Sequence, residues 1–128
     1  MPRRILFVDN SEIVRRLIRT CLETRLGCLV CGEAMDCLDA AQIARELAPD
    51  VIVLGLSMPM MNGLEAAAIL HDMMPRVPII LYTLHKDIIS DRRAHAVGIR
   101  AVVSKTDQIE VLLEEVQNFV GVAKAATA

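Results

Sequence analysis

Tryptophan is absent from this sequence, and Phe7, Tyr82 and Phe119 are its only aromatic residues. The hydrophobic fraction is still 54%, so the core has to be built from aliphatic side chains, alanine and methionine. The 128 residues fit one domain of ordinary size, long enough for a sizeable core. An excess of positive charge is missing too: 14 Lys and Arg stand against 16 Asp and Glu, a net charge of −2. That balance excludes the broad basic surface that direct binding of nucleic acid needs. The arginine pairs Arg15-Arg16 and Arg92-Arg93 fall inside helical patterns and read as solvated faces. No apolar run approaches the roughly 18 residues of a membrane span. The opening Met1-Pro2-Arg3-Arg4 leads into an apolar segment too short for a secretory core. No membrane partner is expected, and the chain reads as cytoplasmic.

Metal-ligand and redox spacings are also wanting. Cys21, Cys28, Cys31 and Cys37 are the cysteines, and Cys28 and Cys31 make a C-x-x-C. That pair lies in an apolar run reading as a strand, where alternation sends the two side chains to opposite faces. A redox C-x-x-C would open a helix, and no histidine lies nearby to complete a zinc set. The four read as small thiols in a reducing compartment.

What the sequence does hold is an alternation of short apolar strands with longer helical patterns. Arg4 to Val8 is the first strand, followed by Asp9-Asn10. Ser11 then caps a helix with Ile13, Val14, Leu17, Ile18, Cys21 and Leu22 at helical spacing, ended by Gly27. Cys28 to Gly32 predicts a second strand, and Asp36 caps a helix over Cys37 to Leu47 with Ala40, Ile43, Ala44 and Leu47 on one face. Val51-Ile52-Val53-Leu54, bounded by Pro49 and Gly55, predicts a strand buried on both faces. A loop from Gly55 to Gly63 precedes a helix from Leu64 to about Met73. Val77 to Tyr82 predicts a fourth strand, and Asp87 to Val97 a helix with a thin apolar face (Ile88, Ile89, Ala96) closed by Gly98. Ala101 to Ser104 is the fifth strand. Asp107 then caps a last helix carrying Ile109, Leu112, Leu113, Val116, Phe119 and Val120. With no repeat and no linker, one domain over residues 1–122 is expected, and a short frayed tail over 123–128.

Such a pattern implies a parallel sheet with helices on both faces. Ligands in these sheets gather at the carboxyl ends of the strands, where this chain places Asp9, Asn10, Gly55, Thr83 and Lys105.

The segments ILFVDNS, PDVIVLGLSMPMMNGLEA, PIILYT and GIRAVVSK, in this order on these elements, resemble the receiver domain of bacterial two-component response regulators. The resemblance covers about residues 4 to 120. It implies a three-layer α/β/α sandwich, a flavodoxin-like doubly wound (βα)5 fold whose five parallel strands run in the order 2-1-3-4-5. It also implies phosphoryl transfer to an aspartate after the third strand. Two acidic residues after the first strand hold Mg²⁺ with that acceptor, while a lysine and the metal neutralise developing charge.

Carried over residue by residue, the resemblance puts Asp9 at the first acidic position, Thr83 at the phosphate-binding hydroxyl and Lys105 at the lysine. Gly55 takes the acceptor position, Asn10 the second acidic position and Val102 the aromatic switch position on the fifth strand. Thr106 replaces the proline that often follows the lysine, which puts the peptide geometry there in question. Glycine supplies neither nucleophile nor carboxylate. A metal would find one anionic ligand, so Mg²⁺ binding by Asp9 and Asn10 is expected to be weak or absent, and no cofactor is expected. With its carboxylate partner missing, Lys105 is expected to turn to Asp9. Ser57 has no base to activate it and reads as a loop-capping residue. His85, two residues past Thr83, reads as an exposed loop residue or a rim group. His71 and His95 read as surface residues at opposite ends of the fold. Met58-Pro59 matches the family loop, while Met60 and Met61 read as either a pliable contact surface or packing over the pocket.

The reading of function is an atypical receiver, not an enzyme, acting as a phosphorylation-independent interaction module. Its protein partner is expected on the face formed by the fourth helix, fifth strand and fifth helix, which could also serve a homodimer. An alternative is the receiver portion of a longer DNA-binding regulator, although a length of 128 residues is expected to suit a free-standing module. A metal-dependent enzyme in the same cleft would have Asp9, Thr83 and Lys105 alone to work with.

Overall fold

The computed structural model describes residues 3–55 and 62–127, with the side chains of Cys37 and of residues 121–127 left aside. Ser57, Met58, Met60 and Met61 lie outside the described residues. The chain alternates β1 (Arg4–Val8), α1 (Glu12–Leu26), β2 (Leu29–Ala34), α2 (Cys37–Leu47), β3 (Val51–Leu54), α3 (Gly63–Met73), β4 (Ile79–Thr83), α4 (Asp91–Ala96), β5 (Ile99–Ser104) and α5 (Ile109–Thr127). The strands form one parallel sheet in the order β2-β1-β3-β4-β5, as the resemblance implied.

Strand alternation builds two aliphatic cores, one on each face of the sheet. Leu6, Val8, Ile52, Leu54, Ile79 and Leu81 point to one side, where they meet α2, α3 and α4 through Ala40, Ala44, Ala66, Ala67, Leu70 and Ala94. Alanine at these positions brings the helices close to the strands, so this layer packs without an aromatic. Ile5, Phe7, Val51, Val53, Ile80 and Tyr82 point to the other side, against Ile18 and Leu22 of α1 and Leu112, Leu113 and Val116 of α5.

Local signals at the helix ends work as expected. Ser11 accepts from the Val14 N–H and Asp36 from the Asp39 N–H, each satisfying an orphan donor of a first turn. Gly27 ends α1 in the left-handed region with φ 67°. Asn62, read only as part of a loop in the sequence, begins α3 with a capping box, its side chain taking the Leu64 and Glu65 N–H groups.

Several expectations are corrected. The helix predicted over Asp87 to Val97 is broken into a 3₁₀ turn (Lys86–Ile88) and α4, because Ile89 is extended and the Ser90 hydroxyl takes the Arg93 N–H. Ala94 is the buried residue of α4, whereas Ile88 and Ala96 are exposed. On α1 the buried stripe is narrower than the spacing suggested: Ile13 and Leu17 stand 81% and 60% exposed. α5 starts at Ile109, two residues after Asp107, and continues through the alanine-rich end to Thr127 where a tail was expected. His71 is half-buried where an exposed residue was expected; it packs on Gly98, with a buried Nδ1 lacking a hydrogen-bond partner among the described residues. Gly98 also binds the His95 carbonyl, so the two histidines flank one corner and do not sit at opposite ends.

Two β-bulges break the simple alternation. The β1–β2 register slips between Ile5 and Leu6, leaving Cys31 as the extra residue, with its Sγ 3.4 Å from the Ile5 carbonyl oxygen. The β4–β5 register slips between Ile79 and Ile80, leaving Arg100 extra and turned to solvent. Cys28 lies just before β2 in the α1–α5 core, and burial pushes both its thiol and that of Cys31 up. Cys21, Cys28 and Cys31 are all unpaired to other cysteines.

Candidate functional site

The carboxyl ends of the strands meet at a corner held by extensions of the sheet ladders. The Asp9 N–H bonds the Ala34 carbonyl at 2.9 Å, the Gly55 N–H the Val8 carbonyl at 2.8 Å, and the Lys105 N–H the Thr83 carbonyl at 2.8 Å. Asp9 follows β1 and Gly55 follows β3, so paired neighbours in the sheet set them side by side. Thr83 and Ser104 share the last rung between β4 and β5, which delivers Lys105 to the same corner.

Asp9 is 1% exposed, and both of its carboxylate oxygens are engaged. Oδ1 accepts from the Ser11 N–H at 2.9 Å, and Oδ2 accepts from Lys105 Nζ at 2.7 Å. A buried carboxylate tolerates desolvation when it has such charge-assisted partners. The Lys105 side chain is 20% exposed, and its ammonium also stands 5.8 Å from the centre of the Tyr82 ring. Burial pushes the Tyr82 hydroxyl up, with the Asp9 charge adding to it. The expected turn of Lys105 to Asp9 is what the structure shows.

Gly55 is buried beside that pair. A Cβ built on it would stand 3.1 Å from Asp9 Oδ2 and 3.5 Å from Asp9 Cγ. The Asp9 carboxylate thus reaches into the space that a side chain at residue 55 would enter. Thr83 is buried, and its hydroxyl oxygen accepts from the His85 backbone N–H at 3.0 Å. His85 itself is exposed, so its backbone, and not its imidazole, touches the site. All peptide bonds among the described residues are trans, including the one before Thr106.

Asn10, directly after Asp9, is exposed, whereas Val102 is set back along its strand. Val102 pairs with Leu81, two residues short of the last rung, and packs into the α2–α3–α4 core.

Arg15 was missed as a member of the site. Its Nη1 donates to the Asp9 carbonyl, and its Nε stands 3.5 Å from Glu33 Oε1. Glu33 also takes Arg19 at 2.8 Å. Arg15 therefore ties α1 to the end of β1 and to β2 and is not a solvated residue, unlike exposed Arg92 and Arg93. Nothing in the local pattern marks it, because its two partners stand at the end of β1 and on β2, outside its own helix.

Among the described residues, no group of three or more His, Cys, Asp or Glu is placed to hold a metal ion. No helix among them is long and apolar enough to cross a membrane.

The model of the response regulator receiver domain family matches residues 5–117. Response regulator protein VraR of Staphylococcus saprophyticus is 32% identical over 117 residues, which is 91% of this chain and 56% of that protein. The protein-glutamate methylesterase/protein-glutamine glutaminase of Pyrococcus abyssi is 36% identical over 78 residues, 61% of this chain and 21% of that protein. The chain thus spans about half, or less, of the length of these curated relatives. Among solved structures, a two-component response regulator of the LuxR family from Aurantimonas sp. SI85-9A1 superimposes with a TM-score of 0.86 at 28% identity, covering 94% of this chain and 87% of that one. A CheY-like receiver domain protein from Methanospirillum hungatei JF-1 gives 0.88 at 19% identity, covering 98% and 99%, a likeness of fold.

Proposed function

The chain belongs to the response regulator receiver domain family, and from that premise we propose that it works without phosphate, as a protein-interaction module in two-component signalling. The observation that carries the reading is Lys105 Nζ bound to Asp9 Oδ2 at 2.7 Å beside Gly55. Acyl-phosphate formation needs a carboxylate nucleophile at the end of β3, and glycine offers none. The lysine that would neutralise a phosphoryl group is instead committed to Asp9.

The site does not suit Mg²⁺. This hard cation favours anionic oxygen ligands, whereas here one carboxylate has its Oδ1 on a backbone N–H and its Oδ2 on an ammonium. Asn10 adds no charge. With acceptor, second acid and aromatic switch all replaced, the conformation is set by the fold and by whichever partner binds it better. The face formed by α4, β5 and α5 is the proposed contact surface, for a protein partner or a second copy, in the cytoplasm. No catalytic activity is assigned to it.

The test is incubation of the chain with acetyl phosphate and Mg²⁺, and separately with phosphorylated histidine kinases, followed by intact-mass measurement. No mass gain is expected, and a stoichiometric phosphoryl adduct would overturn the reading. Gly55→Asp combined with Asn10→Asp is the companion variant, expected to regain Mg²⁺ binding only if Asp9 withdraws from the space beside residue 55.

The 56% coverage of VraR favours a second reading, in which this is the receiver portion of a longer regulator. Sequencing the gene through its stop codon decides between the two.

A further inference from the structure

β2 is the edge strand on the side of the sheet away from β5. Beside its carboxyl end, between α1 and the turn into α2, lies a cleft of about 490 Å³. The inner wall is closed within the chain, because Arg15 and Arg19 both hold Glu33. The outer wall is open. Met35 stands 51% exposed in the cleft, and Leu38, in the first turn of α2, is 63% exposed. Arg16 is exposed on α1, where it pairs with the equally accessible Glu12 one turn earlier. Asp39 is exposed on α2, and its carboxylate has no ion-pair partner among the described residues.

Charge and backbone narrow what can cover this wall. With both signs present, a polyanion or a polycation would meet like charge at the rim. Strand addition along β2 is blocked as well. Glu23 Oε2 takes the Val30 N–H at 3.2 Å, and the bulge at Cys31 interrupts the row of free backbone groups. What fits is a folded surface that offers a cation, a carboxylate and an aliphatic centre in complementary order. The same patch, turned about a two-fold axis, has all three.

We propose that a second copy of this chain docks on the β2 edge, with Met35 and Leu38 of the two copies meeting across the axis and Arg16 of each facing Asp39 of the other. Exposed ion pairs add little adhesion, so the apolar centre holds the copies together while the charges fix their orientation. Each copy presents its patch on a folded scaffold, which avoids the ordering cost that a flexible peptide would meet. The surface lies at the opposite end of the sheet from α4, β5 and α5. It therefore leaves that face free, and the proposal stands apart from the interaction-module reading.

The test is sedimentation velocity of the intact 128-residue chain over a series of rising concentrations. A reversible monomer–dimer equilibrium is expected. Leu38→Glu, at an exposed position, should raise the dissociation constant about tenfold or more. Arg16→Glu and Asp39→Arg should each weaken the dimer about tenfold or more, because like charges then face each other twice about the axis. Mixed in equal amounts, these two variants should recover the dimer, since opposite charges again meet at both contacts. Recovery in the mixture also shows that both variants are folded. A chain that stays monomeric throughout the series overturns the proposal, and so does a mixture no better than its components. A dimer indifferent to Leu38→Glu overturns it too, and its loss with Arg100→Glu would put the contact on the β5 edge. A phosphoryl adduct in the mass assay bears on the phosphate-free reading alone.

Discussion

Replacing Lys105 by methionine removes the cation from a carboxylate that has almost no access to water. Asp9 is 1% exposed and its Oδ2 lies 2.7 Å from Lys105 Nζ. Breaking a buried pair from one side costs about 3–5 kcal/mol, because the remaining charge is left uncompensated. Two features put this site at the lower end. The Lys105 side chain is 20% exposed, and Asp9 Oδ1 keeps its bond from the Ser11 N–H. The expected loss is therefore about 3 kcal/mol, a large part of the roughly 5–15 kcal/mol that holds a domain together. For a chain of this size that corresponds to a fall of about 10 °C in Tm. Urea titration followed by far-ultraviolet circular dichroism is the suitable assay, since the chain has no tryptophan to report by fluorescence. The double variant Asp9→Asn with Lys105→Met has no buried charge left, so it should be more stable than Lys105→Met alone by about 2 kcal/mol. Lys105→Met unfolding within about 0.5 kcal/mol of the wild type, or a double variant no better than the single, would refute the reasoning.

The remaining predictions bear on the scaffold. Gly98→Ala should cost about 2 kcal/mol or more, because φ is 89° there and the added Cβ would run into the His71 ring. Adding His71→Ala should recover the steric part and leave the backbone part, which thermal melts of the three variants can separate. Asn62→Ala removes the capping box of α3 and should cost about 1 kcal/mol in the same assay. Ile13→Ser and Leu17→Ser should each leave stability within about 0.5 kcal/mol of the wild type, since both side chains are exposed. Burial raises Cys28 and Tyr82 above their ordinary values of 9.0 and 10.0. The native state therefore keeps protons that the unfolded chain releases, and stability should fall as pH rises beyond about 9, as pH-dependent urea midpoints would show. A rising midpoint in that range would contradict the burial of these groups.

The sequence by itself determined the alternation of five strands and five helices, their caps at Ser11 and Asp36, and the strand ends on which Asp9, Gly55, Thr83 and Lys105 stand. These are short-range signals: hydrophobic period, turn residues and orphan N–H groups depend on neighbours a few residues away. The thin pattern over Asp87 to Val97 misled for the same reason, because periodicity did not show that Ser90 would cap a new helix. Only the tertiary structure decided the rest. It set the geometry of the expected Lys105–Asp9 pair, which closes across 96 residues of chain, and placed Arg15 between the Asp9 carbonyl and Glu33. It packed His71 onto Gly98 and slipped the β4–β5 register to turn Arg100 outward. Each of these depends on which strands lie side by side and in what register. That is fixed when the two aliphatic cores close on either face of the sheet, and no local stretch of sequence carries it.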